Sequence, residues 1–143
     1  MKILIRQDDF DAITAYARKN LPEEACGLIA GEKGEEIRRI EKVYYLENID
    51  HTDEHFSMDP KEQLAAVKDM RKRGLALLGN WHSHPETPSR PSKEDIRLAY
   101  DSSASYLILS LMDEKKPVLN AFTVKSGAVT KDILEIADEA YGE

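Results

Sequence analysis

The sequence predicts an α/β or α+β sandwich, with several strands and three interspersed helices. Two observations carry that expectation. Short apolar runs of strand length alternate with segments whose apolar residues recur at helical spacing, and Gly, Pro or Asp punctuates the boundaries. The chain has 143 residues, 41% hydrophobic and 33% charged, which suits one domain spanning 1–143 and leaves little room for a second.

Residues 2–6 form a short apolar run, expected as a strand. Asp8 or Asp9 is placed to cap a helix carrying Phe10, Ile13, Tyr16 and Ala17, which ends near Asn20, before Leu21-Pro22. Residues 26–30 are apolar and bounded by Gly31. A turn at Lys33-Gly34 then leads into 36–46, a partner strand for a hairpin. Residues 49–54 are polar and loop-like, and the short stretch His55-Phe56-Ser57-Met58 follows. Asp59-Pro60 opens a second helix, with Leu64, Val67 and Met70 on one face and Gly74 as its stop. Residues 75–81 predict an inner strand, and three prolines make 84–91 an irregular loop. Ser92 opens a third helix with Ile96, Ala99 and Tyr100 on one side. Residues 106–112 and 118–124 read as strands joined at 113–117. Past Lys125 two readings compete. Val129, Ile133, Ile136 and Ala140 fit a helix, and 129–136 fits a strand as well.

Charge and cysteine content narrow the partners. Acidic residues number 27 against 20 basic, a formal charge of -7. That excess argues against nucleic acid as the main partner and against an anionic membrane surface. No run of about 18 apolar residues offers a membrane span. The apolar run at Ile3, Leu4 and Ile5 is too short for a signal-peptide core. With Cys26 the sole cysteine, no intrachain disulfide can form, and the expected compartment is the cytoplasm.

The chemistry concentrates in Trp81-His82-Ser83-His84-Pro85 and its continuation Ser92-Lys93-Glu94-Asp95. Alternate residues of a strand share a face, so His82 and His84 point one way and Trp81 and Ser83 the other. Pro85 ends the strand, the Pro-rich loop turns the chain back, and Asp95 falls in the first turn of the next helix. Two imidazoles and a carboxylate leave one tetrahedral position for water, the pattern of a catalytic zinc site. Zinc lowers the pKa of that water to about 7. A base is then needed to take its proton and pass it to the leaving amine. Pro22-Glu23-Glu24-Ala25-Cys26-Gly27 supplies the carboxylates, and physics alone leaves Glu23 and Glu24 as alternatives.

These residues resemble the JAMM (MPN-plus) zinc metallopeptidases, whose pattern is an upstream Glu, His-Ser/Thr-His-Pro, and, after seven residues, Ser-x-x-Asp. Here 85–91 are the seven residues, followed by Ser92 and Asp95, so every position is filled. Glu24-Ala25-Cys26-Gly27 matches the family's Glu-x-Cys-Gly entry to its first core strand, and the resemblance runs from about residue 3 to residue 124. It implies a mixed β-sheet flanked by helices, of the cytidine-deaminase-like type. It implies zinc on His82, His84 and Asp95, Glu24 as general base, and Ser92 helping to hold the developing oxyanion. It also implies hydrolysis of a peptide or isopeptide bond at the C-terminal tail of a ubiquitin-like or sulfur-carrier protein ending in Gly-Gly. The chain is most similar in length to single-domain prokaryotic members.

Plainer readings stand beside these. Ser92-x-x-Asp95 is also a helix capping box, which would compete for the Asp95 carboxylate. Glu24 alone reads as a solvated acid. His51 and His55 lie among acids without recognisable ligand spacing. Cys26, in an apolar run, reads as a small buried hydrophobe. Lys68, Arg71, Lys72 and Arg73 suit a helix C-terminus, or an acidic partner surface. The competing functional class is a non-catalytic MPN-type protein-binding scaffold, which typically lacks the metal ligands. A RadC-like protein would share the metal pattern but carry an N-terminal helical region.

Overall fold

A computed structural model describes residues 1–138. In chain order its elements are β1 (Lys2–Arg6), α1 (Gln7–Asn20), β2 (Cys26–Lys33), β3 (Ile37–Leu46), α2 (Pro60–Lys72), β4 (Ala76–His84), α3 (Lys93–Arg97), β5 (Ser105–Ser110), β6 (Val118–Lys125), β7 (Ala128–Lys131) and β8 (Ile133–Ala137). The described strands make one mixed sheet in the order β7-β6-β5-β4-β2-β3-β1-β8. This is the mixed sheet flanked by helices that the sequence implies.

The β2–β3 hairpin pairs Cys26 with Leu46 and Ile29 with Val43. β4 lies against β2 antiparallel, with Cys26 opposite His82 and Leu28 opposite Asn80, and against β5 in parallel. Side chains alternate across these ladders and split the core in two. On one face Ile29, Val43, Trp81, Leu107 and Leu109 pack with Ile13 and Ala17 of α1. On the other, Leu28, Ala30 and Leu46 pack with Ala66 and Met70 of α2. Trp81 is fully buried between Tyr16 and Tyr45, and its indole N–H donates to the Tyr44 carbonyl at 3.1 Å. That crossing requires glycine at 27. A Cβ there would stand 1.8 Å from the Tyr44 oxygen and 2.4 Å from the Trp81 indole nitrogen.

Several expectations shift. β1 runs directly into α1, so Arg6 is the N-cap, and Asp8 and Asp9 lie inside the first turn, where they complement the helix dipole. Leu64 is 56% exposed, because α2 turns Ala66 and Met70 toward the sheet and the small Ala66 permits close approach. Asp59 caps α2 through Lys61 N–H, and Gly74, at φ 70°, ends it. α3 stops at Arg97 without a buried residue, which leaves Tyr100 84% exposed.

The segment past Lys125 forms strands and not a helix; Ala140 lies outside the described residues. β7 pairs with β6 and β8 pairs in parallel with β1. Both partners offer unpaired edge N–H and C=O groups, and satisfying them outweighs a weak helical period. One residue, Asp132, separates these two edge strands, so the sheet curls until its edges meet. Asp132 N–H donates to the Ala121 carbonyl at 2.8 Å, and its carboxylate accepts from Thr123 Oγ1 at 2.7 Å.

Candidate metal centre

The end of β4 and the start of α3 build the site. His82 and His84 project from the α2-side face of β4, 3% and 4% exposed. The loop after Pro85 returns the chain so that Asp95, third residue of α3, faces them. His82 Nε2 and His84 Nε2 are 3.1 Å apart, and each lies 3.2 Å from Asp95 Oδ2. Ligands about 2.0–2.1 Å from a tetrahedral zinc are about 3.3 Å from one another, so this triangle fits one face of such a shell. His84 Nδ1 lies 2.9 Å from the Pro88 carbonyl, which can only accept. The ring therefore donates from Nδ1 and, when neutral, turns the Nε2 lone pair into the triangle. Three converging lone pairs repel one another unless a cation or protons separate them, and the donor set of two imidazoles and a carboxylate suits zinc. Among the described residues these three side chains are brought together as a group able to hold a metal ion.

Asp95 Oδ2 also accepts from the Ser92 backbone N–H at 2.8 Å, while Ser92 Oγ accepts from Asp95 N–H at 3.0 Å. The capping box and the convergence on the histidines thus meet on one oxygen. Burial alone would raise the Asp95 pKa, but the hydrogen bonds from His82 and His84 hold it well below the usual carboxylate range. Burial pushes His82 down; at His84, Asp95, the Pro88 carbonyl and Glu24 outweigh burial and push it up.

Glu24 enters from the adjacent strand. Ser83 fastens the two chains side by side, its N–H donating to the Ala25 carbonyl at 2.9 Å and its Oγ accepting from Ala25 N–H at 2.8 Å. Extending the Cys26–His82 register two residues sets Glu24 beside His84. Glu24 is 4% exposed, and its Oε1 is buried without a hydrogen-bond partner. Burial, against the pull of His84, raises its pKa from 4.5 to about 8. Glu23 turns outward instead, 3.2 Å from His51. His51 also reaches Glu47, and His55 pairs with Asp50 at 3.0 Å, so both rings are engaged with carboxylates outside the triangle, although His55 lines the same cleft as His82 and Asp95. Cys26 is buried, its thiol pushed up to about 12 by burial. Arg73, at the basic end of α2, pairs with Asp69.

A cleft of about 410 Å³ opens on the His82 and Asp95 side. Phe56 stacks on His82, ring centroids 4.7 Å apart at 26°. Met58, Leu98, Tyr106 and Ile108 continue an apolar wall, with Asn80 among the polar lining. Sequence reasoning missed Phe56 and Asn80. The alternation that selected His82 and His84 also selects Asn80, one step back along the same face, whereas no local signal marks Phe56.

The sequence profile described as prokaryotic homologs of the JAB domain matches residues 6–125. A protein of Mycobacterium tuberculosis named CysO-cysteine peptidase is 30% identical over 137 residues, covering 96% of this chain and 92% of its own. A Thermus thermophilus protein named as a probable TtuB-protein conjugate cleaving protease is 36% identical over 86 residues, covering 59% of this chain and 55% of its own. A solution structure of a Desulfitobacterium hafniense protein superposes with a TM-score of 0.90 at 50% identity, covering 99% and 96% of the two chains.

Proposed function

The chain belongs to the family of prokaryotic homologs of the JAB domain, and on that premise we propose that it is a zinc metallopeptidase. It hydrolyses the peptide or isopeptide bond that joins the C-terminal Gly-Gly of a ubiquitin-like or sulfur-carrier protein to an amine. The observation that carries this reading is the triangle of His82 Nε2, His84 Nε2 and Asp95 Oδ2. The names of the relatives, CysO-cysteine peptidase in Mycobacterium and probable TtuB-protein conjugate cleaving protease in Thermus, support the substrate class.

His82, His84 and Asp95 would hold the ion. When bound, zinc supplies a Lewis acid that acidifies water and polarises a carbonyl. The Glu24 carboxylate takes a proton from the attacking water at the buried oxygen that has no other partner. It then returns that proton to the amine nitrogen as the C–N bond breaks, leaving a carboxylic acid on the carrier tail and a free amine. A carboxylate serves as base in the first half of that relay and, once protonated, as acid in the second. Ser92 Oγ accepts a backbone bond, so its own hydrogen remains available to donate to the developing oxyanion.

The test uses the zinc-loaded chain and a ubiquitin-like carrier from the same organism whose Gly-Gly is amide-linked to cysteine or to a lysine side chain. Intact-mass spectrometry is expected to show two products that together gain one water, and chelation to abolish them. If the loaded protein binds both conjugates and leaves them intact, the scaffold reading replaces this one.

A further inference from the structure

Glu24 lies before the β2 ladder begins at Cys26, and its carboxyl makes no bond through Oε1. Something else must set its position, and the segment after β3 does so. Glu24 N–H donates to the Thr52 carbonyl at 2.8 Å. The Glu24 carbonyl accepts from Asn48 Nδ2 at 3.1 Å. Asn48 is 6% exposed, and its amide is used throughout. Nδ2 also lies 3.0 Å from the His55 carbonyl and 3.4 Å from that of Thr52, so its two hydrogens face three acceptors. Oδ1 accepts from Asp50 N–H at 3.1 Å and Ser57 N–H at 3.2 Å. His55 and Ser57 are the neighbours of Phe56, the ring that stacks on His82. One buried side chain therefore grips the backbone of Glu24 on one flank of the histidines and both neighbours of Phe56 on the other.

We propose that Asn48 is a positioning residue for the reaction, fixing the Glu24 carboxyl relative to His82, His84 and the Phe56 wall through these backbone bonds. The inference rests on the reading of Glu24 as proton carrier. The hydrogen bonds of Asn48 go to backbone groups and not to His82, His84 or Asp95, and Asn48 is not part of the cleft lining, so its removal is expected to act on proton transfer and leave the ion in place. Misplacement of a reacting group by about 1 Å is enough to cost on the order of 100-fold in rate.

The experiment is a double-mutant cycle on the zinc-loaded chain, using the Gly-Gly conjugates above. Asn48→Ala is expected to lower kcat by about 10- to 100-fold with KM and zinc content nearly unchanged. In the Glu24→Gln background it is expected to add less than about a factor of two, since residues acting through one another are non-additive. Amide exchange should quicken at Glu24 and Ser57 while β2 and β4 keep their protection. Wild-type kcat in Asn48→Ala, a loss that multiplies with that of Glu24→Gln, or exchange quickening across the whole sheet each overturns the proposal. If Asn48→Ala fails to fold, Asn48→Ser, which keeps a donor and opens a smaller void, is judged by the same criteria. A Glu24→Gln enzyme at wild-type rate is a separate result: it removes the reading of Glu24 and this proposal with it.

Discussion

At the scale of single residues, neighbouring carboxylates are sorted by register. Glu24 lies just ahead of the ladder, where its register extended from Cys26–His82 sets it beside His84, while Glu23, one residue back, turns to His51 and solvent. Glu24→Gln keeps shape and removes proton acceptance. It is expected to lower the hydrolytic rate about 10²- to 10⁴-fold, or roughly 3–5 kcal/mol of transition-state stabilisation. Glu23→Gln should stay near wild type, and the reverse ranking in a steady-state assay would reject the assignment. Burial also links Glu24 to stability. Its carboxyl has an ordinary pKa near 4.5, and burial pushes it up to about 8 in the fold. Between those values the folded state holds a proton that the unfolded chain has released, so stability falls as pH rises. In metal-free protein, urea unfolding at pH 5 and pH 8.5 should show a loss of a few kcal/mol in wild type beyond that in Glu24→Gln. Equal losses would mean that the carboxyl is hydrated. The convergence of His82, His84 and Asp95 was legible from an i, i+2 strand pair and a turn of known length. The choice of Glu24 needed the resemblance, because sequence shows no register. Asn48 was invisible because its partners are backbone groups of a loop.

Secondary-structure elements hold the site unequally. β4 is an inner strand, and its histidines inherit a rigid frame from β2 and β5. α3 has five residues and buries none, so it depends on its capping box. Ser92→Ala is expected to cost about 1 kcal/mol of local stability and to weaken zinc binding, because Asp95 leaves with the loosened turn. Unchanged zinc affinity by competitive titration would show that Asp95 is held by other means. Gly27→Ala tests the sheet at its tightest crossing. The added methyl meets the Tyr44 carbonyl and the Trp81 indole, so a loss of roughly 1–3 kcal/mol or more is expected in thermal unfolding. A fully stable variant would place the indole elsewhere. Strand and helix identities were largely legible where apolar periodicity was strong, as in β2, β3 and β4. Past Lys125 helix and strand stayed in competition, because the pairing of β8 with β1, distant in sequence, decides the conformation there.

For the whole molecule, sheet, loop and candidate metal centre form one coupled unit. The sheet runs from β7 to β8 without a break, and its edges join through Asp132. No helix among the described residues is long and apolar enough to cross a membrane. The proposed ligands come from β4 and α3, which only the folded chain brings together, so zinc that binds the native state would shift the unfolding equilibrium. At free zinc about 1,000 times its dissociation constant, the stabilisation is about 4 kcal/mol. For a chain of this size each kcal/mol raises Tm by about 2–4 °C. Zinc-loaded protein should therefore melt on the order of 10 °C above chelated protein. The His82→Ala, His84→Ala double variant retains β4 pairing through its backbone and should melt at one temperature with or without zinc. An equal zinc-induced rise in that double variant would place the ion elsewhere on the chain and detach the metal from this site.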